Sequence, residues 1–588
     1  MPSKSSATQH RPTAHSFYNV FYMTDREYDV VVVGSGAAGM TAALTAAHHG
    51  LSVVIIEKAA HYGGSTARSG GGVWIPGNKA LKASGRPDDR DVARTYLHSI
   101  IGDVVPKERI DTYIDRGAEA FDFVLDHTPL KMRWVPGYSD YYPEAPGGKG
   151  EGRSCEPKPF NAKILGEERF NLEPPYAKAP LNVAVTQADF VRLNLIRRHP
   201  KGIMRAMRVG ARTYWAKFTN KHLMVMGQAI IAAMRKGLLD ANVPLLLNTP
   251  LTKLVVENGA VTGVEAEQDG ETVRFTARYG VVLGSGGFEH NAEMRTKYQR
   301  QPIGTEWTTG AAANTGDGII AGMEAGGAVG FMEDAWWGPT IFKGGKPWFA
   351  LAERNLPGCI MVNPDGERFG NESAPYVEAV HTMYGGEYGQ GDGPGANIPA
   401  WLVFDQRYRN RYIFAGLQPG LRFPSRWMEN DNIVKADSLE ELASAIGVPA
   451  ENLAATVTRF NSFAESGKDE DFGRGNSHYD RYYGDPTVKP NPCLAGLVQG
   501  PFYAAKIVPG DLGTKGGLVA DTSGRVLRED DSVIDGLYAS GNSSTPVMGH
   551  TYAGPGATIG PAITFGYLAV LDIAERKKAG SAKAAAEA

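Results

Sequence analysis

Three cysteines in 588 residues, Cys155, Cys359 and Cys493, lie far apart and form no CxxC pair. That scarcity excludes a disulfide framework, a zinc site and an iron-sulfur cluster, and a reducing cytoplasm is the simplest compartment. Long hydrophobic runs are missing as well: no stretch reaches 18 apolar residues, so no membrane-spanning helix and no metal centre are expected. Residues 1 to 27 are polar and lack the apolar centre of a secretory signal. Nor is there an excess of charge of either sign, because 61 Lys and Arg face 64 Asp and Glu, a formal net charge of -3. Nothing in that balance draws nucleic acid or any other polyanion to the whole surface, so such affinity must come from a local patch.

What the chain does have is length and glycine. A chain of 588 residues exceeds one ordinary core, and two intertwined domains are expected. The 72 glycines, against an average near 7% of residues, point to tight turns and close backbone approaches.

The segment YDVVVVGSGAAGMTAALTAAHHGLSVVIIEKA reads as strand, glycine turn, helix and second strand. Val30 to Val33 suit a parallel strand buried on both faces, and Ala37 to His48 form an alanine-rich helix. Gly34, Gly36 and Gly39 make GxGxxG: a tight turn, a close approach to a pyrophosphate, and the packing of helix on strand. Glu57 ends the second strand, where a carboxylate accepts from a ribose hydroxyl. Strand, helix, second strand and terminal acid in register indicate a dinucleotide.

A second glycine-rich loop follows at once, GGSTARSGGGVWIPGN. Here the sequence resembles the fumarate reductase and succinate dehydrogenase flavoprotein superfamily. The resemblance continues in GVVLGSGGFEHN, in GCIMVNPDGERFGNES and in GTKGGLVADTSGRVLREDDSVIDGLYASGN, and so covers nearly the whole chain. It implies FAD, held non-covalently because no histidine stands near Ser65. The implied fold class is α/β, a Rossmann-like FAD-binding domain with an inserted α+β catalytic domain that caps the flavin. The expected division is residues 24–330 and 495–588 for the FAD-binding domain and 331–494 for the cap. Expected cofactor contacts begin with Gly34, Gly36, Ala37, Ala38, Gly39, Glu57 and Lys58. They continue with Gly64, Ser65, Thr66, Ser69, Gly70, Gly71 and Gly72, then Val255 and Gly286, and close with Gly541, Asn542, Gly556 and Ile559.

The stretch HTYAGPGATIG, residues 550 to 560, decides the substrate. Its glycine turn opens a final helix whose free N–H groups suit the negative edge of a reduced flavin. A tyrosine hydroxyl at Tyr552 and a backbone N–H at Gly556 are two donors of the kind that hold an enolate oxygen. This Tyr-x-x-x-Gly pair resembles that of the 3-ketosteroid Δ1-dehydrogenases. GGGVWIPGN, DAWWGPT, NESAPY, DFGRG and GYSDYY extend the resemblance. It implies 1,2-desaturation of a steroid A ring: Tyr552 and Gly556 polarise the 3-carbonyl, and Tyr376 of NESAPY removes the proton from carbon 2. A hydride then passes from carbon 1 to the flavin.

A helper tyrosine maps onto GYSDYY, where Tyr141 is preferred to Tyr138 and Tyr142. A free tyrosine with a pKa of about 10 is protonated at neutral pH, so a second tyrosine or a nearby positive charge must favour its phenolate. Trp336 and Trp337 are expected as steroid-facing walls or as core, with at least one in the core.

Three other readings compete. A 3-ketosteroid Δ4-(5α)-dehydrogenase uses a different tyrosine arrangement. A fumarate reductase needs carboxylate-binding HxTG and RGEG patterns, which are missing here. A flavin-binding, membrane-docking protein without turnover would not need the complete set of ketone-polarising and proton-removing groups. With no second redox centre in the sequence, electrons are expected to leave to an external quinone or dye-like acceptor.

Residues from about 155 to 225 form a basic insertion. RLNLIRRHPKGIMRAMRVGARTYWAKFTNK contains no Asp or Glu, and it interleaves its cations with Ile203, Met204, Met207, Trp215 and Phe218. It reads as a basic amphipathic hairpin broken at Pro200 and Gly202. Peripheral attachment through about residues 190–222 to the inner face of the cell membrane is the expected use, since steroids are nearly insoluble in water.

Overall fold

The computed structural model describes residues 25–176, 182–391 and 395–587, and most of the N-terminal leader lies outside them. Its architecture is α/β, with two large sheets. The strand Asp25–Val33 lies between Val53–Ile56 and Glu271–Leu283, both parallel to it. Leu245–Leu246 extends one side and Val533–Ala539 the other, again parallel. Val30, Val31 and Val32 are fully buried, as expected of a central parallel strand covered on both faces. The helix Ala37–His48 covers one face and packs against the long C-terminal helix Ile559–Glu587.

The second sheet is antiparallel and runs Lys346–Phe349, Ala335–Lys343, Phe502–Thr514, Ala400–Asp405, Cys359–Val362. The first strand after residue 495 belongs to this second sheet. Phe502–Thr514 pairs with strands on both of its sides within the capping sheet, so the chain rejoins the first sheet only at Arg525–Leu527 and Val533–Ala539. A glycine-rich motif had marked the return, but hydrogen-bond pairing decides which sheet a strand belongs to.

The basic insertion folds as two helices, Gln187–Leu193 and Pro200–Phe218. Pro200 opens the second helix instead of breaking it, because its missing N–H costs nothing in a first turn. Gly202 also lies inside that helix, packed on the Leu195 carbonyl, so the break falls just before Pro200. Among the described residues, no helix is long and apolar enough to cross a membrane, and no cluster of metal-ligating side chains occurs. The three cysteines are free and buried.

Candidate active site

A cavity of about 1110 Å³ runs from the first glycine turn to the tyrosines of the capping domain. It is long enough to hold a dinucleotide at one end and a second molecule at the other. Gly34 adopts a φ of +97°, and a Cβ there would lie 2.5 Å from the Gly284 carbonyl oxygen. Gly36, Ala37 and Ala38 line the cavity. Gly39 does not; a Cβ on it would meet the Gly34 carbonyl at 1.9 Å, so its role is helix-on-strand packing.

The Glu57 carboxylate accepts from the Ser35 backbone N–H at 3.0 Å and hydroxyl at 2.5 Å, and from the Ala59 N–H at 2.9 Å. Burial raises its pKa despite those donors. Lys58 lines the cavity but is committed to Thr315 and Asp317. Gly64, Ser65, Thr66, Ser69, Gly70, Gly71 and Gly72 form the opposite wall, with Gly286, Gly541, Asn542, Gly556 and Ile559 beyond.

Thr66 Oγ1 accepts from the Ala37 N–H, tying the two glycine loops together. A Cβ on Gly64 or Gly70 would meet no protein atom within 4 Å, so both stand open on the cavity as a cradle for a flat ligand. The donors and the bare backbone fit a flavin dinucleotide.

Val255 is the exception. It pairs with Gly263 in the antiparallel excursion Leu251–Glu257, and only Thr249 and Leu251 at the start of that segment reach the cavity. A strand advances about 3.3 Å per residue, and this one has left the ligand by residue 255.

Glu289 lies behind this wall, where its carboxylate accepts from Asn314 Nδ2 at 2.7 Å. Burial and the neighbouring Asp511 carboxylate push its pKa up to about 7 from an ordinary 4.5. The folded chain therefore holds a proton that the unfolded chain has lost. The resulting stability is complete below pH 4.5, declines as pH rises and is lost above about 7. In denaturant unfolding, Glu289→Gln should remove that slope, changing the difference from wild type by about 2–3 kcal/mol between pH 4.5 and 8. Parallel stability curves would show that this carboxyl does not titrate there.

At the far end four aromatic rings converge. Tyr376 is the first residue of the helix Tyr376–Tyr384, placed there by Pro375. Tyr552 sits in the loop before Ile559–Glu587. Their ring centroids are 5.5 Å apart; Tyr141 lies 5.3 Å from Tyr376 and 5.2 Å from Tyr552, and Trp336 lies 5.1 Å from Tyr552. The Tyr552 hydroxyl accepts from Thr558 Oγ1 at 3.1 Å, and Tyr552, Tyr376 and Gly556 line the same end of the cavity. Tyr141 in turn packs edge-on against the Tyr376 ring.

Burial raises the pKa of Tyr552, Tyr376 and Tyr141, so all three are neutral at rest. A neutral Tyr552 is a donor, as a carbonyl requires. Of the tyrosines in GYSDYY, Tyr141 is the one whose ring contacts Tyr376. Tyr138 faces Tyr483, and Tyr142 donates to Glu378 at 2.5 Å. Trp336 lines the cavity and donates to Asn542 at 3.0 Å, whereas Trp337 is core and donates to Asp334 at 2.6 Å.

Sequence reasoning missed the backing of this cluster. Tyr479 stacks edge-on to Tyr141 at 4.9 Å and leads to Tyr483, both from the tyrosine-dense run HYDRYY. The density of that run was the available signal. On the other side the Tyr552 N–H donates to the Tyr142 hydroxyl, and Glu378, His381, Asp334 and buried Lys515 continue the network. No local pattern marks those charges, because they meet only across three segments.

The FAD binding domain family model matches residues 29–559. A 3-oxosteroid 1-dehydrogenase of Mycolicibacterium smegmatis is 66% identical over 560 residues, 94% of this chain and 98% of the relative. A 3-oxosteroid 1-dehydrogenase of Mycobacterium tuberculosis is 65% identical over 563 residues, 95% and 99% of the two chains. Among solved structures, the 3-ketosteroid delta1-dehydrogenase from Sterolibacterium denitrificans in complex with 1,4-androstadiene-3,17-dione superposes with a TM-score of 0.88. It is 40% identical, and the match covers 94% of this chain and all of that one. With its cradle, its tyrosine cluster and these matches along almost its full length, the chain belongs to the 3-oxosteroid 1-dehydrogenase family of flavoproteins built on the FAD binding domain.

Proposed function

We propose that this chain desaturates the A ring of 3-ketosteroids between carbons 1 and 2. The observation that carries the reading is the meeting of Tyr552, Gly556 and Tyr376 at one end of the cavity, with the two tyrosine rings 5.5 Å apart. Two donors at a carbonyl oxygen make the neighbouring carbon acidic, because they stabilise the enolate as charge develops. Tyr552 and Gly556 hold that oxygen. Tyr376, in the fraction of molecules whose phenol has released its own proton to solvent, takes the proton of carbon 2 onto its phenolate oxygen, and Tyr141 packs against its ring. The glycine cradle of Gly34, Gly36, Gly64 and Gly70 would hold FAD non-covalently, and the flavin would supply a hydride acceptor for carbon 1, with an external acceptor of the quinone class as the final oxidant. The buried, aromatic-walled site keeps water from the enolate.

Anaerobic mixing with androst-4-ene-3,17-dione should bleach the flavin and yield the 1,4-diene. Bleaching by a 5α-saturated ketosteroid with a 4-ene product would mark Δ4-(5α) chemistry instead, and bleaching by neither would refute turnover.

A second reading concerns the helix Pro200–Phe218. Met207, Trp215 and Phe218 are 69%, 66% and 83% exposed, and Ile203, Met204 and Tyr214 accompany them. These positions recur at helical spacing, so they make one apolar face, with Lys201, Arg208 and Lys217 along the same helix. The opposite face reaches the cavity through Thr213, Ala216 and Lys217. A helix with lipid-suited residues outside and cavity wall inside suits an enzyme that draws steroid from an anionic membrane surface. Flotation with anionic liposomes should be lost in a Met207→Asp, Trp215→Asp, Phe218→Asp variant that keeps its flavin. Equal flotation of both proteins would overturn the attachment.

A further inference from the structure

Arg354 is fully buried in the short helix Leu351–Asn355, and among the described residues it forms no ion pair. The contrast is with neighbouring Arg474, equally buried, which pairs with Glu372 at 3.1 Å. One nitrogen of Arg354, Nη1, donates to the carbonyl oxygens of Glu372 at 2.5 Å and Ala374 at 2.8 Å. Its Nε and Nη2 have no hydrogen-bond acceptor. An unpaired buried guanidinium costs several kcal/mol, so a fold that keeps one needs a compensating negative charge.

No resting carboxylate supplies that charge. Glu372, in contact through its carbonyl, has its carboxylate bonded to Arg368 and Arg474. Asp480, the other acid acting on Arg354, accepts from Asn371 Nδ2 and the Gly475 N–H. The Arg354 carbonyl itself accepts from Arg474 Nη2 and the Cys359 thiol. The groups that act most strongly on the guanidinium charge are tyrosines: Tyr479 and Tyr483 from the helix His478–Tyr483, and Tyr141 from GYSDYY. The Tyr479 hydroxyl is buried without a hydrogen-bond partner, and its ring contacts that of Tyr141, which in turn contacts the Tyr376 ring. The other titratable groups facing Tyr376 are Tyr552 and Tyr138, both neutral phenols at rest.

We propose that Arg354 is the positioning residue that makes Tyr376 a usable base: its unpaired charge, acting across Tyr479 and Tyr141, stabilises the phenolate. The inference rests on the assignment of Tyr376 as the base. The geometry adds a mechanical part, since the Glu372 and Ala374 carbonyls held by Arg354 lie just ahead of Pro375 and Tyr376. Burial opposes the phenolate, and a cation within the same low-dielectric cluster offsets that penalty. The proton accepted from carbon 2 then neutralises the phenolate, and the guanidinium is left facing neutral tyrosines.

The test is the pH dependence of flavin reduction by androst-4-ene-3,17-dione in wild type, Arg354→Lys, Arg354→Met, Tyr479→Phe and Tyr376→Phe. Below the kinetic pKa the rate follows the phenolate fraction, so each pH unit of upward shift costs tenfold at fixed pH. Arg354→Met should lose at least tenfold near neutrality and recover as pH rises. Arg354→Lys, which keeps the charge, should keep its profile within a few tenths of a unit. Tyr479→Phe should shift in the same direction as Arg354→Met, and it alone decides if Arg354→Met fails to retain flavin. A loss that is flat with pH, or an unmoved profile, overturns the inference and leaves Arg354 as a backbone clip. Tyr376→Phe separates the two levels: if it is inactive while the arginine profile is unmoved, only the inference fails. If Tyr376→Phe keeps its rate, the base assignment fails.

Discussion

Tyr552→Phe and Tyr376→Phe should each slow steroid-dependent flavin reduction by about 10²- to 10³-fold, the usual cost of removing an oxyanion donor or an acid-base group. The two losses differ in character. Tyr552→Phe removes a donor to the carbonyl oxygen and leaves the Gly556 N–H, so a residual rate with near-normal steroid binding is expected. Tyr376→Phe leaves the carbonyl polarised but gives the proton of carbon 2 no acceptor, so exchange of that proton with solvent should stop along with reduction. The double variant should be little slower than the worse single one, because groups acting on one step are not additive. The measurements are single-turnover bleaching and deuterium exchange at carbon 2. Exchange that persists in Tyr376→Phe would assign the base elsewhere.

Gly556→Ala should strike the flavin cradle and the carbonyl-binding end of the cavity together. Gly556 has a φ of +100°, and a Cβ there would lie 2.3 Å from Gly72 C and Val73 N and 2.4 Å from Gly72 O. All three are backbone atoms, so a side-chain rotation cannot relieve the clash. The same contact is made from the other side, where the Trp74 N–H donates to the Gly556 carbonyl at 3.2 Å. Parting these loops opens the flavin cradle and moves the second oxyanion donor at once. The expected result is a fall in bound flavin together with a loss of at least 10²-fold in rate for the molecules that keep it. Full flavin content with a wild-type rate would show that the Gly556 amide has no part in catalysis.

The dinucleotide end was legible in the sequence because its determinants are local. Val30 to Val33, the GxGxxG turn and Glu57 lie within one strand-helix-strand unit, where periodicity and glycine geometry act between near neighbours. Tyr552 and Gly556 were legible for the same reason: four residues of one loop put a hydroxyl and an amide within reach of the same atom. Tyr376 was selected by its place in NESAPY, through resemblance and not through any property of a lone tyrosine.

What lay outside the sequence is everything that depends on segments meeting. Val255 stands in an apolar strand that points to the ligand's neighbourhood, yet the strand carries it away. Residues 495 to 514 follow a cap and precede a flavin motif, yet pairing places the strand in the capping sheet. The choice of Tyr141 over Tyr138 and Tyr142 needed the helix that begins at Tyr376, since adjacent residues in a loop differ in what they face.

By itself, then, the sequence determined that this chain binds a flavin dinucleotide and carries a tyrosine four residues ahead of a glycine in one loop, because short-range stereochemistry sets both. Only the tertiary structure decided which groups surround Tyr376. Arg354, Tyr479, Tyr141 and Tyr376 come from four separate segments, and the energy of a buried charge depends on what surrounds it in space and not on its neighbours in the chain.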